Sequence, residues 1–225
     1  MNFVIRIPLT ATPEQQARLQ ALQSVFALVC NTLSPIVQQT RCWNRVALHH
    51  MVYKSLRAKF PALGSQMVCN AIYSVSRTSR LVYQHPSSPF NVARLGEQAL
   101  PLLRFSDNCP VYFDRHTLSV KDGQLSMYTL DGRMHFELAL KPEHEVMFHD
   151  LKLQEIILTR QADGCFELSF SLSDAAPADA AAAQGQGAEL ALARTDPQEP
   201  GLSRPVDVAG LTLAFPEYVM VEEAI

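Results

Sequence analysis

The chain has 225 residues, of which 48% are hydrophobic and 18% charged, and its formal net charge is −3 at pH 7. These values describe an ordinary soluble globular protein that is long enough to bury a real core. The sequence shows neither a signal peptide nor an apolar stretch long enough to cross a bilayer, so we expect a cytoplasmic protein without a membrane partner. Its five cysteines are widely spaced and form no C-x-x-C pair, which argues against a disulfide framework and against a zinc ribbon.

The beginning of the chain predicts a strand followed by a long helix. Residues 1–9 are predicted to form a strand, because Phe3, Ile5 and Ile7 alternate with other side chains and therefore share one face. The run TPEQ at residues 12–15 is a strong helix start, in which the threonine can cap the helix and the glutamine completes a capping box. Apolar residues recur at helical spacing well beyond this start.

Two further helices are predicted in the first half of the chain. The second spans about residues 43–60, and the run FPALG that follows is typical of a helix end. The third begins at Ser65, whose hydroxyl can cap it, and reaches about Gln84. Residues 85–101 are rich in Pro and Ser and are predicted to form a loop.

Residues 101–173 have the pattern of an antiparallel β structure. Short alternating runs are separated by Asp-Gly pairs at 122–123, 131–132 and 163–164. Because Asp-Gly is one of the strongest signals for a tight hairpin, these runs are predicted to pair with their neighbours in an antiparallel sheet or small barrel. The acidic residues around 143–145 are predicted to lie in a solvated loop.

The end of the sequence changes character twice. Residues 174–205 are rich in Ala, Gly, Pro and Gln, a composition typical of a flexible linker. Residues 206–225 regain hydrophobic side chains but are too few to form a domain. We expect this tail either to dock a partner protein or to be the remnant of a lost domain boundary.

The charge is divided unequally along the chain. Residues 1–105 contain 11 Lys and Arg residues and only two acidic ones, Glu14 and Glu97, whereas residues 106–225 contain 8 basic and 20 acidic residues. An asymmetry of this size predicts a polyanionic partner for the basic half.

The second and third predicted helices concentrate these basic residues. Arginines, histidines and tyrosines recur there at spacings of three and four, so each set shares one helix face. Arginine binds phosphate well, and aromatic rings between arginines offer stacking platforms for bases, although a solvated helix face is the simpler alternative. The candidate nucleic-acid-binding residues are Arg41, Arg45, His49, His50, Tyr53, Lys54, Arg57, Lys59, Phe60, Gln66, Asn70, Tyr73, Ser74, Arg77 and Arg80.

The sequence contains no familiar catalytic motif. It has no G-x-S-x-G, no P-loop and no H-E-x-x-H. His49 and His50 are adjacent on a helix, where side chains diverge by about 100° and do not converge on one metal ion. We therefore predict no catalytic residue, no bound metal and no cofactor in this chain.

Several blocks of the sequence occur in the order and spacing of one known family. Residues 2–173 resemble the amino-terminal half of TnpB-type proteins of insertion sequences, which are RNA-guided relatives of type V CRISPR effectors. The blocks that carry the resemblance are the first strand followed by TPEQ, Asn31 late in the first helix, NRVALHHMVYKSLRAKFPALGSQMVCNAI, FSDNCPVYFDRHTLSV, LSMYTLDGRMHFEL and LQEIILTRQADGCFELSFSL.

The resemblance implies an α+β fold with two parts. Residues 1–9 and 101–173 would form an antiparallel β-barrel of the wedge type, and residues 10–100 an inserted three-helix recognition domain. The implied partners are a structured guide RNA and target duplex DNA. The resemblance also points to Lys59, Phe60 and Gln66 as residues that read a short DNA motif, since a glutamine amide can contact an adenine edge.

The chain departs from this family where the nuclease should be. TnpB-type proteins continue into a RuvC domain with three separated acidic residues, whereas residues 174–225 offer only Asp207 and Glu217 in an apolar context. The prediction is therefore a protein without a nuclease that acts by binding. Two alternatives stay open: the recognition subunit of a split RNA-guided nuclease whose RuvC domain is a separate chain, and a protein-interaction module that uses the acidic β half.

Overall fold

The computed structural model describes residues 2–121, 123–174 and 214–222. The helices in this part of the chain are α1 (Pro13–Thr40), α2 (Arg45–Lys59), α3 (Ser65–Tyr83), α4 (Val92–Leu95) and α5 (Pro142–Asp150). The strands are β1 (Asn2–Pro8), β2 (Leu102–Phe105), β3 (Val111–Phe113), β4 (Leu118–Lys121), β5 (Gln124–Thr129), β6 (Gly132–Glu137), β7 (Lys152–Arg160), β8 (Phe166–Ser173) and β9 (Val219–Glu222).

The protein has an α+β fold with antiparallel sheets, as the sequence predicted. The described strands form a four-stranded sheet in the order β1-β8-β7-β3, a three-stranded sheet in the order β4-β5-β6 and the two-stranded pair β2-β9. Within the described ranges these sheets do not close into a barrel.

The first strand, β1, lies at the edge of the four-stranded sheet, next to β8. β1 runs antiparallel to β8, with Ile5 opposite Phe170 and Ile7 opposite Leu168. Both isoleucines are buried, while Val4 between them is exposed. The alternation seen in the sequence therefore placed the strand correctly, and Ile5 and Ile7 form its buried face, whereas Phe3, expected on the same face, is 37% exposed.

The predicted hairpins are present. β5 and β6 meet at Gly132, and β7 and β8 at the turn containing Gly164. Both glycines have positive φ, +96° and +87°, which a residue with a Cβ adopts at a steric cost. The first Asp-Gly pair includes residue 122, which lies outside the described ranges.

α1 is the central helix of the core. It starts with the predicted capping box, in which Thr12 and Gln15 each bond the other's backbone N–H. By length and composition alone it could cross a membrane, contrary to the sequence-based expectation. The core helix of a globular protein passes the same test, and Leu19, Leu22 and Leu33 of α1 are fully buried here.

Polar side chains of α1 bind the backbone around β2. The amide of Asn31 donates to the carbonyl of Phe105 and accepts from its N–H, both at 2.8 Å. These contacts satisfy the strand edge that faces the helix, since β9 covers the other edge. Three more α1 side chains donate to carbonyls nearby: Ser34 to Leu103 (2.5 Å), Gln38 to Leu100 (2.7 Å) and Gln23 to Cys109 (3.0 Å).

α2 and α3 were predicted within about two residues of their observed bounds, but two details were wrong. The helical spacing of Leu48, Met51, Val52 and Leu56 predicts that they share the buried face of α2, but Met51 is 50% exposed. Ser65 does not cap α3, because the N-cap position is Gly64 and no side chain caps this helix. α3 itself is buried on most of its circumference and packs against α1, α2 and β3.

The helices and the sheets share one hydrophobic core. Leu22, Ile72 and Phe170, from α1, α3 and β8, belong to the same contiguous cluster of buried side chains. The predicted segments 10–100 and 101–173 therefore pack against each other over a common interior.

Three elements lie in segments that were predicted as loop or tail. The acidic residues around 143–145, predicted to lie in a loop, belong to α5, whose apolar residues Val146, Met147 and Phe148 are consecutive and therefore form no stripe at helical spacing. The short helix α4 lies within the predicted loop 85–101. β9 lies within the tail 206–225 and pairs with β2 of the same chain, so this part of the tail docks on its own protein. The linker prediction for 174–205 falls outside the described residues except for Asp174.

Candidate nucleic-acid interface

One side of α2 carries five of the predicted residues that reach solvent. His50 and Lys54 are exposed, and Arg45, His49 and Tyr53 are half-buried. Leu48, Val52 and Leu56 of the helix are buried in the core, and none of its residues is acidic. We call Arg45, His49, His50, Tyr53 and Lys54 the α2 surface.

Flat rings lie next to the positive charges of the α2 surface. The guanidinium carbon of Arg45 is 5.2 Å from the ring centroid of Tyr73 on α3. The His49 ring stacks on Tyr53, with centroids 4.6 Å apart and planes inclined by 23°. His50 meets His49 edge-on at 5.8 Å. Cations bind phosphates and ring faces stack on bases, so the two kinds of group together suit a nucleic acid.

His49 is biased towards its neutral form. Partial burial lowers its pKa from the ordinary value of 6.5, and the neighbouring His50 and Arg45 lower it further. A phosphate close to this ring would act in the opposite direction, since a negative charge favours the protonated imidazole.

Arg77 was predicted to face phosphate but is paired within the protein. Its Nη1 lies 2.7 Å and 2.9 Å from the two carboxylate oxygens of Glu155 on β7. Tyr73 donates its hydroxyl to the same carboxylate at 2.9 Å. Burial raises the pKa of Tyr73 to about 12, and Glu155 adds to the rise, so the hydroxyl keeps its proton at neutral pH.

Three predicted contact residues are buried, and their assignment to an exposed surface is wrong. Phe60 belongs to the hydrophobic core, at 8% exposure. Asn70 is also buried, and its amide donates to the carbonyl of Tyr112 at 3.0 Å. Ser74 is 2% exposed on the inner side of α3.

Three of the predicted cations also hold loops or neighbouring helices. Arg41 has a left-handed φ of 51° and donates to the carbonyls of Gly96 (2.7 Å) and Gln98. Arg57 donates to the carbonyl of Leu63, which fixes the turn before α3. Lys59 contacts the Thr32 hydroxyl at 3.4 Å and lies near the Phe60 ring. Arg80 is half-buried near the end of α3.

Gln66 lines a cleft between the start of α3 and the three-stranded sheet. The cleft has a volume of about 390 Å³. Arg133 lies beside it, with its guanidinium carbon 4.2 Å from the ring centroid of Tyr128 and Nη2 3.4 Å from the carbonyl of His116. The lining residues are Gly64, Ser65, Gln66, Met67, His116, Thr117, Tyr128 and Thr129.

Sequence reasoning did not identify Glu155, Tyr128, His116 or Arg133 as parts of these sites. Glu155 lies 78 positions after Arg77 in the sequence, and only the packing of α3 against the β1-β8-β7-β3 sheet brings the two together. The other three belong to a region that was predicted only as sheet. No local pattern in the sequence indicated these contacts.

No protein-family model matches this chain, and no curated protein matches it either.

Proposed function

We propose that this protein binds a structured RNA through the α2 surface and acts by binding rather than by catalysis. The observation that carries the proposal is the composition of that surface. It presents Arg45, Lys54 and two histidines beside the exposed parts of aromatic rings, on a helix without a single acidic side chain.

Charge pairing within the protein distinguishes this surface from an ordinary solvated face. Solvated helix faces normally mix both signs, and intrahelical pairs then neutralise them. Arg77 of α3 is neutralised by a carboxylate from another element, Glu155 of β7. Arg45 instead lies over the ring of Tyr73, and no carboxylate contacts Lys54 within the described part of the chain. The positive charges of Arg45 and Lys54 are therefore available to bind a polyanion.

Target DNA is the second proposed partner, and the Gln66 cleft is where it would bind. The cleft places an amide that can donate and accept beside the Tyr128 ring and the Arg133 guanidinium. Arg57 of α2 fixes the turn that leads into the cleft, so the cleft and the α2 surface keep a fixed position relative to each other. We propose that these two sites lie on a wedge-type barrel with an inserted recognition domain, as in TnpB-type proteins. The α2 surface would bind RNA, and the Gln66 cleft would bind DNA.

The test is to recover the protein from its host and to sequence the RNA that co-purifies. Fluorescence anisotropy then compares the affinity of the full chain for that RNA with its affinity for an unstructured oligouridylate of the same length. We expect one abundant structured RNA and clearly tighter binding to it.

The matched variant is the double substitution Arg45→Ala, Lys54→Ala, measured against Arg6→Ala, Lys152→Ala, which removes the same charge from β1 and β7. The proposal is contradicted if no RNA is enriched and the two double variants bind the oligonucleotides equally well.

A further inference from the structure

β2 depends on a strand that comes from far along the sequence. Among the described residues its only strand partner is β9, with Leu103 opposite Val221 and Phe105 opposite Val219. Leu103 and Phe105 are buried, so the backbone between them needs partners that water does not supply. We call residues 214–222 the clasp segment and the β2 edge that receives it the acceptor edge.

The clasp segment is held by specific contacts on both sides of β9. Phe215 stacks on Phe90, with ring centroids 5.9 Å apart. The carbonyl of Tyr218 accepts hydrogen bonds from the N–H (2.9 Å) and the hydroxyl (3.2 Å) of Ser106. Arg104 pairs with Glu222 at 3.1 Å at the far end.

All of these contacts join the clasp segment to the region of residues 90–106, and none requires that the two belong to one molecule. Residues 175–213 separate the clasp segment from β8 and its neighbour Asp174. At about 3.3 Å per residue, a connection of this length could extend to roughly 130 Å. A compact chain of this size has a radius of gyration of about 17 Å, so the connection is long enough to reach a neighbouring molecule.

We propose that the acceptor edge also binds the clasp segment of a second copy of this chain, so that two copies exchange β9 reciprocally. The exchanged dimer would contain every contact described above. Compared with the intramolecular pair, it lacks only the high local concentration that the covalent connection provides. The intramolecular arrangement therefore dominates in dilute solution, and the exchanged dimer forms where copies are concentrated.

Cross-linking between engineered cysteines tests the exchange. Arg104 and Met220 are opposite each other in the ladder and both are exposed. One chain carries Arg104→Cys and a second, larger tagged chain carries Met220→Cys, each with Cys165→Ser to remove an exposed thiol. After incubation together over a range of concentrations, a short thiol-specific cross-linker is added and the products are separated by size.

We expect a mixed-size dimer whose yield rises with concentration and is several-fold above that of a control mixture. The control pairs Arg104→Cys with Val4→Cys, an equally exposed position on β1. A single chain with both Arg104→Cys and Met220→Cys should give a cross-linked monomer. The proposal is overturned if the mixed dimer never exceeds the control, or if the doubly substituted chain fails to cross-link.

Sedimentation of the otherwise unaltered chain provides an independent measurement. Val219 is 7% exposed, and Val219→Asp would place a charge in the core beneath β2. We expect the wild-type protein to gain a dimer fraction as its concentration rises and the Val219→Asp variant to lose it. A wild-type protein that stays monomeric at every concentration contradicts the exchange without bearing on RNA binding.

Discussion

Arg77 of α3 and Glu155 of β7 form an ion pair in which one guanidinium nitrogen lies within 3 Å of both carboxylate oxygens. The Glu155 side chain is only 18% exposed, so its charge is not strongly screened by water. This contact removes one of the most prominent arginines of the basic half from the candidate interface. A carboxylate on a β-strand therefore lowers the positive charge that the helices present to solvent.

Removing the carboxylate should therefore release Arg77. We expect Glu155→Gln to strengthen RNA binding and to make its salt dependence steeper by about one unit, because one more cation can displace counterions. The same change should lower the free energy of unfolding by about 1–2 kcal/mol, since a charged hydrogen bond is lost. Anisotropy titrations at several salt concentrations and urea unfolding measure the two effects.

Glu167→Gln is the matched control for this experiment. It makes the same change of charge on β8, where Glu167 contacts Gln161 rather than an arginine. An equal gain in affinity for both variants would mean that overall charge, and not the release of Arg77, is responsible.

The second prediction concerns the contact between α1 and β2. Asn31→Ala leaves the N–H and the carbonyl of Phe105 without their partner, so we expect a loss of about 2 kcal/mol in the free energy of unfolding. Asn31→Asp should also destabilise the protein at neutral pH, because one carboxylate oxygen would oppose the Phe105 carbonyl. Urea unfolding checks both.

Thr32→Ala serves as the control, since among the described residues this neighbouring hydroxyl bonds only to the Leu28 carbonyl of its own helix and to Lys59. If Asn31→Ala lowers the free energy of unfolding no more than Thr32→Ala does, the backbone groups of Phe105 must find other hydrogen-bond partners.

The third prediction follows from the lowered pKa of His49. In the free protein the His49 ring carries less positive charge than an ordinary histidine would at the same pH, because its pKa is lowered by burial and by His50 and Arg45. A bound phosphate favours the protonated ring, so RNA binding takes up a proton and should strengthen as the pH falls from about 7.5 to about 5.5. His50 and Arg45 lie at the same surface, so the effect of His49 is measured as a difference between variants.

His49→Gln should flatten the pH dependence, whereas His85→Gln, in the loop after α3, should leave it unchanged. Affinities measured by anisotropy at constant ionic strength check this. Identical pH profiles for His49→Gln and the wild-type protein would exclude contact between His49 and phosphate.

The elements with a strong local signal were predictable from the sequence. Ile5 and Ile7 of β1 alternate with exposed residues, and Gly132 and Gly164 mark turns that need positive φ. α5 was missed because its apolar residues Val146, Met147 and Phe148 are consecutive in the sequence and form no stripe at helical spacing, although Met147 and Phe148 pack against the core. A helix without an apolar stripe resembles a polar loop in the sequence.

The candidate site was predicted less completely, because burial and pairing depend on distant parts of the chain. Asn70 is polar, like the residues of the α2 surface, yet it is buried, and the Tyr112 carbonyl, 42 positions away, accepts a hydrogen bond from its amide. The pairing of Arg77 with Glu155 is of the same kind. Sequence spacing identifies which residues share a helix face, but not which neighbour covers that face.

The salt dependence of RNA affinity tests most directly whether the α2 surface binds phosphates. We compare the wild-type protein with Arg45→Ala, Lys54→Ala and with the charge-matched control Arg6→Ala, Lys152→Ala, and monitor helicity alongside. The α2 variant should make the slope of log affinity against log salt shallower by roughly two units, while the control leaves it unchanged. Equal slopes in the wild-type protein and the α2 variant, with the helices intact, would contradict RNA binding at this surface.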